Sequence, residues 1–233
     1  MRYRYLIPPV GLPFFLVLFL LFIVFFTIFS GMVTAAFQRL GIPPAVAYTL
    51  FLASLFGSFL NIPVAEERTY VPVVKVKEVR FFGIPYPVPY FDLEEQKMII
   101  AINVGGALVP LSIVLYEVLR LVSLGRGDVL LNMGIAVGIA SLFSHAVSKP
   151  VHGVGIAIPS FIPPIIAVVL AFLFGGDYKP LIAYASGTLG VLIGADLMNW
   201  GKLKHLGAPM VSIGGAGTFD GIFLAGIIAV LLV

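Results

Sequence analysis

LPFFLVLFLLFIVFFTIFSGMV, residues 12–33, contains no charged residue, and seven of its positions are phenylalanine (Phe14, Phe15, Phe19, Phe22, Phe25, Phe26 and Phe29). A helix rises about 1.5 Å per residue and a bilayer core is about 30 Å thick, so roughly 20 such residues cross it. The aromatics fall all round the helix, which suits packing against lipid. The stretch is too long for the core of a secretion signal and has no clear cleavage site after it, so it reads as a retained span.

Working outward, apolar stretches recur along the chain. The spans expected are residues 8–37, 44–62, 98–119, 129–146, 156–174, 180–198 and 216–233. The 233 residues are 60% hydrophobic and 11% charged, whereas soluble domains carry about a quarter charged residues. So little polar material excludes a soluble enzyme and predicts one membrane-embedded unit over residues 1–233. The 25 glycines and 17 prolines then signify close helix contacts and kinks rather than loops. IPSFIPPII, residues 158–166, should be such a kinked segment. With no cysteine, disulfides, haem thioethers and cysteine metal sites are excluded.

Basic residues orient the spans. With a cytoplasmic N-terminus, inner segments hold Arg2, Arg4, Arg68, Lys75, Lys77, Arg80, Lys97, Lys149, Lys202 and Lys204, and outer ones only Arg39, Arg120, Arg126 and Lys179. This positive-inside bias predicts seven spans with the C-terminus outside. The fold class expected is an all-α polytopic membrane protein. Its one sizeable aqueous part is a cytoplasmic loop, residues 63–97, where TYVPVVKVKEVRFF partly alternates and should form a short β-hairpin or edge strand.

Ionisable residues inside spans are functional by default. Asp196 near the end of span six and Asp220 near the start of span seven should lie at similar depth, at the cytoplasmic ends of antiparallel neighbours. Small residues at helical spacing (Ala183, Gly187, Gly190 and Gly194; Gly217, Gly221, Ala225 and Ala229) would let the two backbones approach. Two facing carboxylates cannot comfortably both ionise, so one keeps a proton and the pair becomes an acid and a base. Such a pair could activate water against a peptide carbonyl, carry protons or cations in transport, or serve structure by capping and by binding Asn199. Glu117, three residues before Arg120, reads as half of an interfacial ion pair. Asn103 and Asn132 read as bonds between helices.

LGVLIGADLMNW and GGAGTFDGIFLAG together resemble the presenilin, signal-peptide-peptidase and prepilin-peptidase group of intramembrane aspartyl proteases. The resemblance implies catalytic roles for Asp196 and Asp220. Gly215 and Gly217 would stand for the motif glycines, although Thr218 and Phe219 separate them from the acid and Ala195 precedes Asp196 where the group has an aromatic residue. It implies hydrolysis of membrane-inserted peptides, with no organic cofactor and no metal. Nearly the whole chain also resembles a family of small uncharacterised archaeal and bacterial integral membrane proteins, which brings no established activity.

Supporting residues expected near the acids are Gly194, Asn199, Gly215, Gly217, Gly221 and the basic stretch SHAVSKPVHGVG, which carries His145, Lys149 and His152. Lys149 could tune the pair or meet lipid phosphate. Membrane lipids and transmembrane peptides are the expected partners. The residues 214–217 lack the lysine of a phosphate loop, and no basic surface suits nucleic acid.

Overall fold

The computed structural model describes residues 11–82, 84–153, 155–215 and 221–233. It is mostly helical, with α1 (Leu12–Arg39), α2 (Pro44–Gly57), α3 (Val109–Ser123), α4 (Gly127–Val147), α5 (Ile162–Phe174), α6 (Lys179–Val191) and α7 (Gly221–Leu232). Among the described residues four helical stretches are long and apolar enough to cross a membrane: Pro13–Arg39, Val104–Ser123, Gly127–Val147 and Gly176–Leu203. The helices Pro44–Gly57, Ile162–Phe174 and Gly221–Leu232 are apolar but shorter. Prolines stand at the first turns of α1, α2, α3, α5 and α6, where a missing N–H removes no helical bond.

The expectation of an all-α fold is corrected by five strands: β1 (Asn61–Phe81), β2 (Ile84–Asn103), β3 (Lys149–Val151), β4 (Gly155–Ala157) and β5 (Met210–Ile213). β1 and β2 pair antiparallel from Asn61↔Asn103 to Phe81↔Ile84. At about 3.3 Å per residue this ribbon is roughly 65 Å long. It is not the short hairpin expected within residues 63–97. It takes in Asn61 and Ile62, assigned above to span two, and the residues 98–103, assigned to span three. A run such as Met98–Ile102 is apolar because it is buried in a sheet, a case that composition alone does not separate from a span.

Proline placement explains how so long a two-stranded ribbon stays paired. Pro85, Pro87 and Pro89 pair with Arg80, Glu78 and Val76. Having no N–H to give the ladder, they leave the bonding positions to the residues between them, and their bare nitrogens blunt the outer edge. Pro63 lies at the one irregularity in the register, between Pro63 and Ala65.

β5 adds parallel to the base of β2, Ile99↔Met210 to Ile102↔Ile213, giving the order β1-β2-β5. Met98, Ile100, Leu203, Leu206, Val211 and Ile213 form a small core beneath it. Further out the ribbon is bare, and every described residue from 76 to 91 is exposed.

The odd-numbered helices run away from the ribbon end and the even-numbered ones return. Arg39 donates to the carbonyls of Val230 (3.0 Å) and Leu231 (3.2 Å), capping α7 at the far end. Arg126 donates to the Tyr178 hydroxyl at 3.0 Å beside it. The main core fills the bundle, with Phe37 of α1 meeting the rings of Tyr184 and Phe223 edge-on at 6.2 and 6.4 Å. From Phe14 to Phe25, by contrast, α1 exposes every side chain. Asn132 donates to the Phe174 carbonyl (3.1 Å), tying α4 to α5 as its type suggested.

Asn103 joins elements too, but from a strand end. It accepts from Gly106 N (2.7 Å) and donates to Ser58 O (2.7 Å) and Asn61 Oδ1 (3.1 Å). It thereby starts the π turn Val104–Leu108 that leads into α3. The helix expected over residues 156–174 also begins later, because residues 155–157 form β4 and α5 starts at Ile162.

Candidate functional site at the ribbon end of α6

α6 is buried on nearly every side: ten residues from Leu181 to Val191 are enclosed. Its small residues make this crowding workable, but they divide between two partners. A Cβ on Gly187 would lie 2.9 Å from the Ala225 carbonyl oxygen of α7. A Cβ on Gly190 would lie 2.6 Å from Ala140 Cβ, and one on Gly194 would overlap the Ser141 carbonyl, both on α4. The stripe expected to join spans six and seven therefore serves α4 at its ribbon-end half.

After Val191 the α-helix yields to a π turn, Leu192–Asp196, and then to a 3-10 helix, Leu197–His205. The wider turn admits an extra residue and re-aims the side chains beyond it, as π turns often do at functional sites. Asp196 closes this turn and is half-buried. Its Oδ2 accepts from Gly214 N at 3.4 Å. Gly214 and Gly215, both with positive φ (83° and 95°), turn the chain sharply out of β5. Asp196 lines a cavity of about 220 Å³. Its walls include Ile156 of β4, Ser212 and Ile213 of β5, Gly215, and Gly221 at the start of α7.

Of the residues singled out from sequence, Asp196, Gly215 and Gly221 thus meet on one cavity. Asp220 and Gly217 lie outside the described residues.

Gly194, Asn199 and His145 form a layer behind Asp196. Asn199, fully buried, donates to Ser148 Oγ (2.8 Å), Ala195 O (2.8 Å) and Gly194 O (3.2 Å), and accepts from Lys202 Nζ at 2.7 Å. It ties α4 to the turns after α6. His145 Nδ1 lies 3.3 Å from Gly194 O. Lys149, exposed on β3, and His152, exposed with its ring against Gly207, are not among the cavity's lining residues. Pro150 carries the chain from α4 into β3, so the two histidines do not share a helix face. Among the described residues no three His, Cys, Asp or Glu side chains gather as metal ligands would.

Glu117 has the partner expected of it but not the expected setting. It is 1% exposed rather than interfacial. The Arg120 guanidinium pairs with it at 3.8 Å and also donates to the Leu40 carbonyl at 2.7 Å.

What sequence reasoning missed at the site is β5. Its inner edge is taken by β2, and it is the last strand of the sheet. The alternating burial of Met210, Val211, Ser212 and Ile213 follows the strand period of two, a signal too short to stand out in a loop read as irregular.

Over residues 55–232 the chain matches the family described as "Protein of unknown function (DUF1614)", and it belongs to that family. No curated protein matches it, and no solved structure does.

Proposed function

We propose that the chain is a seven-span intramembrane aspartyl protease, oriented with the ribbon end in the cytoplasm, in which Asp196 and Asp220 share one proton. The observation that carries this reading is the placement of Asp196, a half-buried carboxylate on the wall of a cavity bordered by an edge strand. Gly215 and Gly221, on either side of the segment that holds Asp220, line the same cavity. An extended peptide could add to β5, whose backbone would align it by strand pairing.

In the reaction proposed, the ionised carboxylate takes a proton from water as the oxygen bonds to the scissile carbonyl carbon. The protonated carboxyl then supplies a proton to the departing nitrogen as the C–N bond breaks, leaving a carboxylic acid and an amine. The basic residues at the ribbon end, Arg68, Lys75, Lys77, Arg80, Lys97, Lys149 and Lys202 among them, favour a cytoplasmic placement of that end.

The test is cleavage of a transmembrane peptide by the full chain in liposomes. Asp196→Asn and Asp220→Asn should each lower the rate by about 10²–10⁴-fold, the usual worth of acid–base catalysis. Persistent cleavage in either variant would refute the shared-proton mechanism. Proton-coupled uptake of a small solute without cleavage would replace it by transport through the same acids.

A further inference from the structure

Two cavities flank the turn that joins α1 to α2. One, of about 220 Å³ at the far end of the bundle, has Arg39, Leu40, Gly41, Arg120 and Asp177 among its walls. The other, of about 300 Å³, is a groove between α2 and α3, walled by Ile42, Val46 and Leu50 on one side and Ser112, Ile113 and Tyr116 on the other. Leu40 and Gly41 border the first and Ile42 the second, so consecutive residues carry the surface from one cavity to the next. On α3, Ser112, Tyr116 and Arg120 recur at every fourth position and share one face, which leads from the groove to the charged cavity. Ile42 and Ile113 are buried at the groove's floor, while Val46 and Tyr116 are exposed at its rim. The Ser112 hydroxyl donates to the Val109 carbonyl at 2.7 Å, which leaves the groove apolar.

Arg39 and Arg120 stand in the last turns of α1 and α3, which belong to two of the stretches long and apolar enough to cross a membrane. A bilayer crossed by these helices has its headgroups at the depth of the two arginines and its hydrocarbon beside the groove. Tyr116, of a type enriched at that boundary, stands one turn short of Arg120. Each guanidinium serves a helix end through Nη1 alone, Arg39 at Val230 O and Leu231 O and Arg120 at Leu40 O. Nε and Nη2 of both have no hydrogen-bond partner among the described residues, and such donors suit phosphate oxygens. Gly41, with φ of 82°, makes room for Arg120, because a Cβ there would overlap Nη1 and lie 3.0 Å from Nη2. The cavity walls carry two guanidiniums against one carboxylate, Asp177, which matches a ligand with one negative charge. Glu117, paired with Arg120 at 3.8 Å, is buried and is not among the lining residues.

We infer that the two cavities together bind one anionic phospholipid, its phosphodiester held by Arg39 and Arg120 and one hydrocarbon chain laid between α2 and α3. A free phosphate would use only the first cavity and an apolar solute only the second. A molecule charged at one end and apolar along its length uses both. The site lies at the opposite end of the bundle from Asp196 and is independent of the proposed proteolysis.

The test uses the purified full chain in detergent micelles, titrated with phosphatidylglycerol, with phosphatidylcholine of the same chains, or with inorganic phosphate, and followed by thermal unfolding. The melting temperature should rise with the logarithm of phosphatidylglycerol concentration, as it does for any ligand that binds only the folded state. Phosphatidylcholine, with no net charge, should need a higher concentration, and inorganic phosphate should leave the melting temperature unchanged. Arg39→Gln should weaken phosphatidylglycerol binding by about tenfold or more, the usual worth of hydrogen bonds to a charged group, and remove the preference over phosphatidylcholine. Val46→Trp fills the groove from its exposed rim and leaves both arginines in place, which guards against a lost helix cap in the first variant. It should also weaken binding by about tenfold or more, since each methylene kept from apolar contact costs about fourfold in affinity. Leu131→Trp, at an exposed position of α4, and Asp196→Asn should both bind as the wild type does. Equal response to the two phospholipids, a phosphate effect equal to that of phosphatidylglycerol, or a Val46→Trp variant that binds like the wild type would overturn the assignment. Lipid-independent dimers that Val46→Trp dissociates would overturn it too, by giving the groove to a second copy of the chain.

Discussion

Glycine contacts on α6 and α4 give a sharp internal comparison. A Cβ placed on Gly194 overlaps the Ser141 carbonyl oxygen and sits 2.8 Å from Ser144 Cβ and 2.9 Å from the Ser141 carbonyl carbon. Each must recede by about half an ångström or more to reach ordinary contact. Two of these atoms are backbone, so no rotamer change relieves them and α4 itself must shift. Overpacking typically costs about 1–3 kcal/mol, and immovable neighbours place Gly194→Ala at the upper end. The gain of about 1 kcal/mol from replacing a helical glycine offsets part of this, leaving a net loss of about 2 kcal/mol. Gly190→Ala should behave similarly against Ala140 Cβ at 2.6 Å. Gly134 and Gly138, on the open face of α4, have nothing within 4 Å of an added Cβ, so alanine there keeps the propensity gain without penalty. For a protein of this size 1 kcal/mol moves a melting temperature by about 2–4 °C. The four single variants, unfolded thermally in the same lipid and followed by circular dichroism, should therefore split into a pair below the wild type and a pair at or above it. Gly138→Ala melting as low as Gly194→Ala would show that α4 and α6 do not pack as described.

Two further outcomes follow from polar contacts near the ribbon end. Asn199→Ala removes donors from Ser148 Oγ and Ala195 O and an acceptor from Lys202, and should lower stability by about 1–3 kcal/mol through groups left unpaired; denaturant unfolding that matches the wild type would show that this tie is dispensable. On the ribbon, the hydrogen bond from Lys75 Nζ (2.8 Å) and then the Leu93 N–H (2.9 Å) hold the Asp92 carboxyl below the usual carboxylate range, while Asp92 and then Glu94 push Lys75 up. A depressed acid contributes ordering that is complete above its unfolded value, about 3.9, and is lost as pH falls through the lower folded one. A raised lysine contributes below its unfolded value, about 10.4, and loses this only at higher pH. Amide exchange across residues 71–76 and 90–95 should therefore stay slow through neutral pH and quicken in strong acid, and Asp92→Asn should make it faster and flatten the acid limb; an unchanged acid limb in that variant would remove the pair from the account.

What could be read from sequence divides along the range of the interactions involved. Apolar stretches are local: residues 12–33 need no partner to declare themselves. Asp196 is conspicuous through scarcity, since a carboxylate in so apolar a stretch has few reasons to be there. The ribbon's extent is not local. Met98–Ile102 becomes strand because β5, over a hundred residues later, pairs with it and Leu203 and Leu206 bury it, and no window around residue 98 contains that information. Glu117 shows the same limit from the other side. Its spacing from Arg120 is that of an ion pair on a helix, so sequence assigns the arginine to the acid. The chain leaves the Leu40 carbonyl unbonded just beyond α1, however, and the guanidinium goes there at 2.7 Å. A carbonyl at a helix end is as obligatory an acceptor as any carboxylate, and satisfying it holds the guanidinium 3.8 Å from the Glu117 carboxylate. The position of Arg120 is thus a product of where α1 stops, and any substitution that supplies Leu40 O with another donor should free the guanidinium to close on Glu117 from its present 3.8 Å.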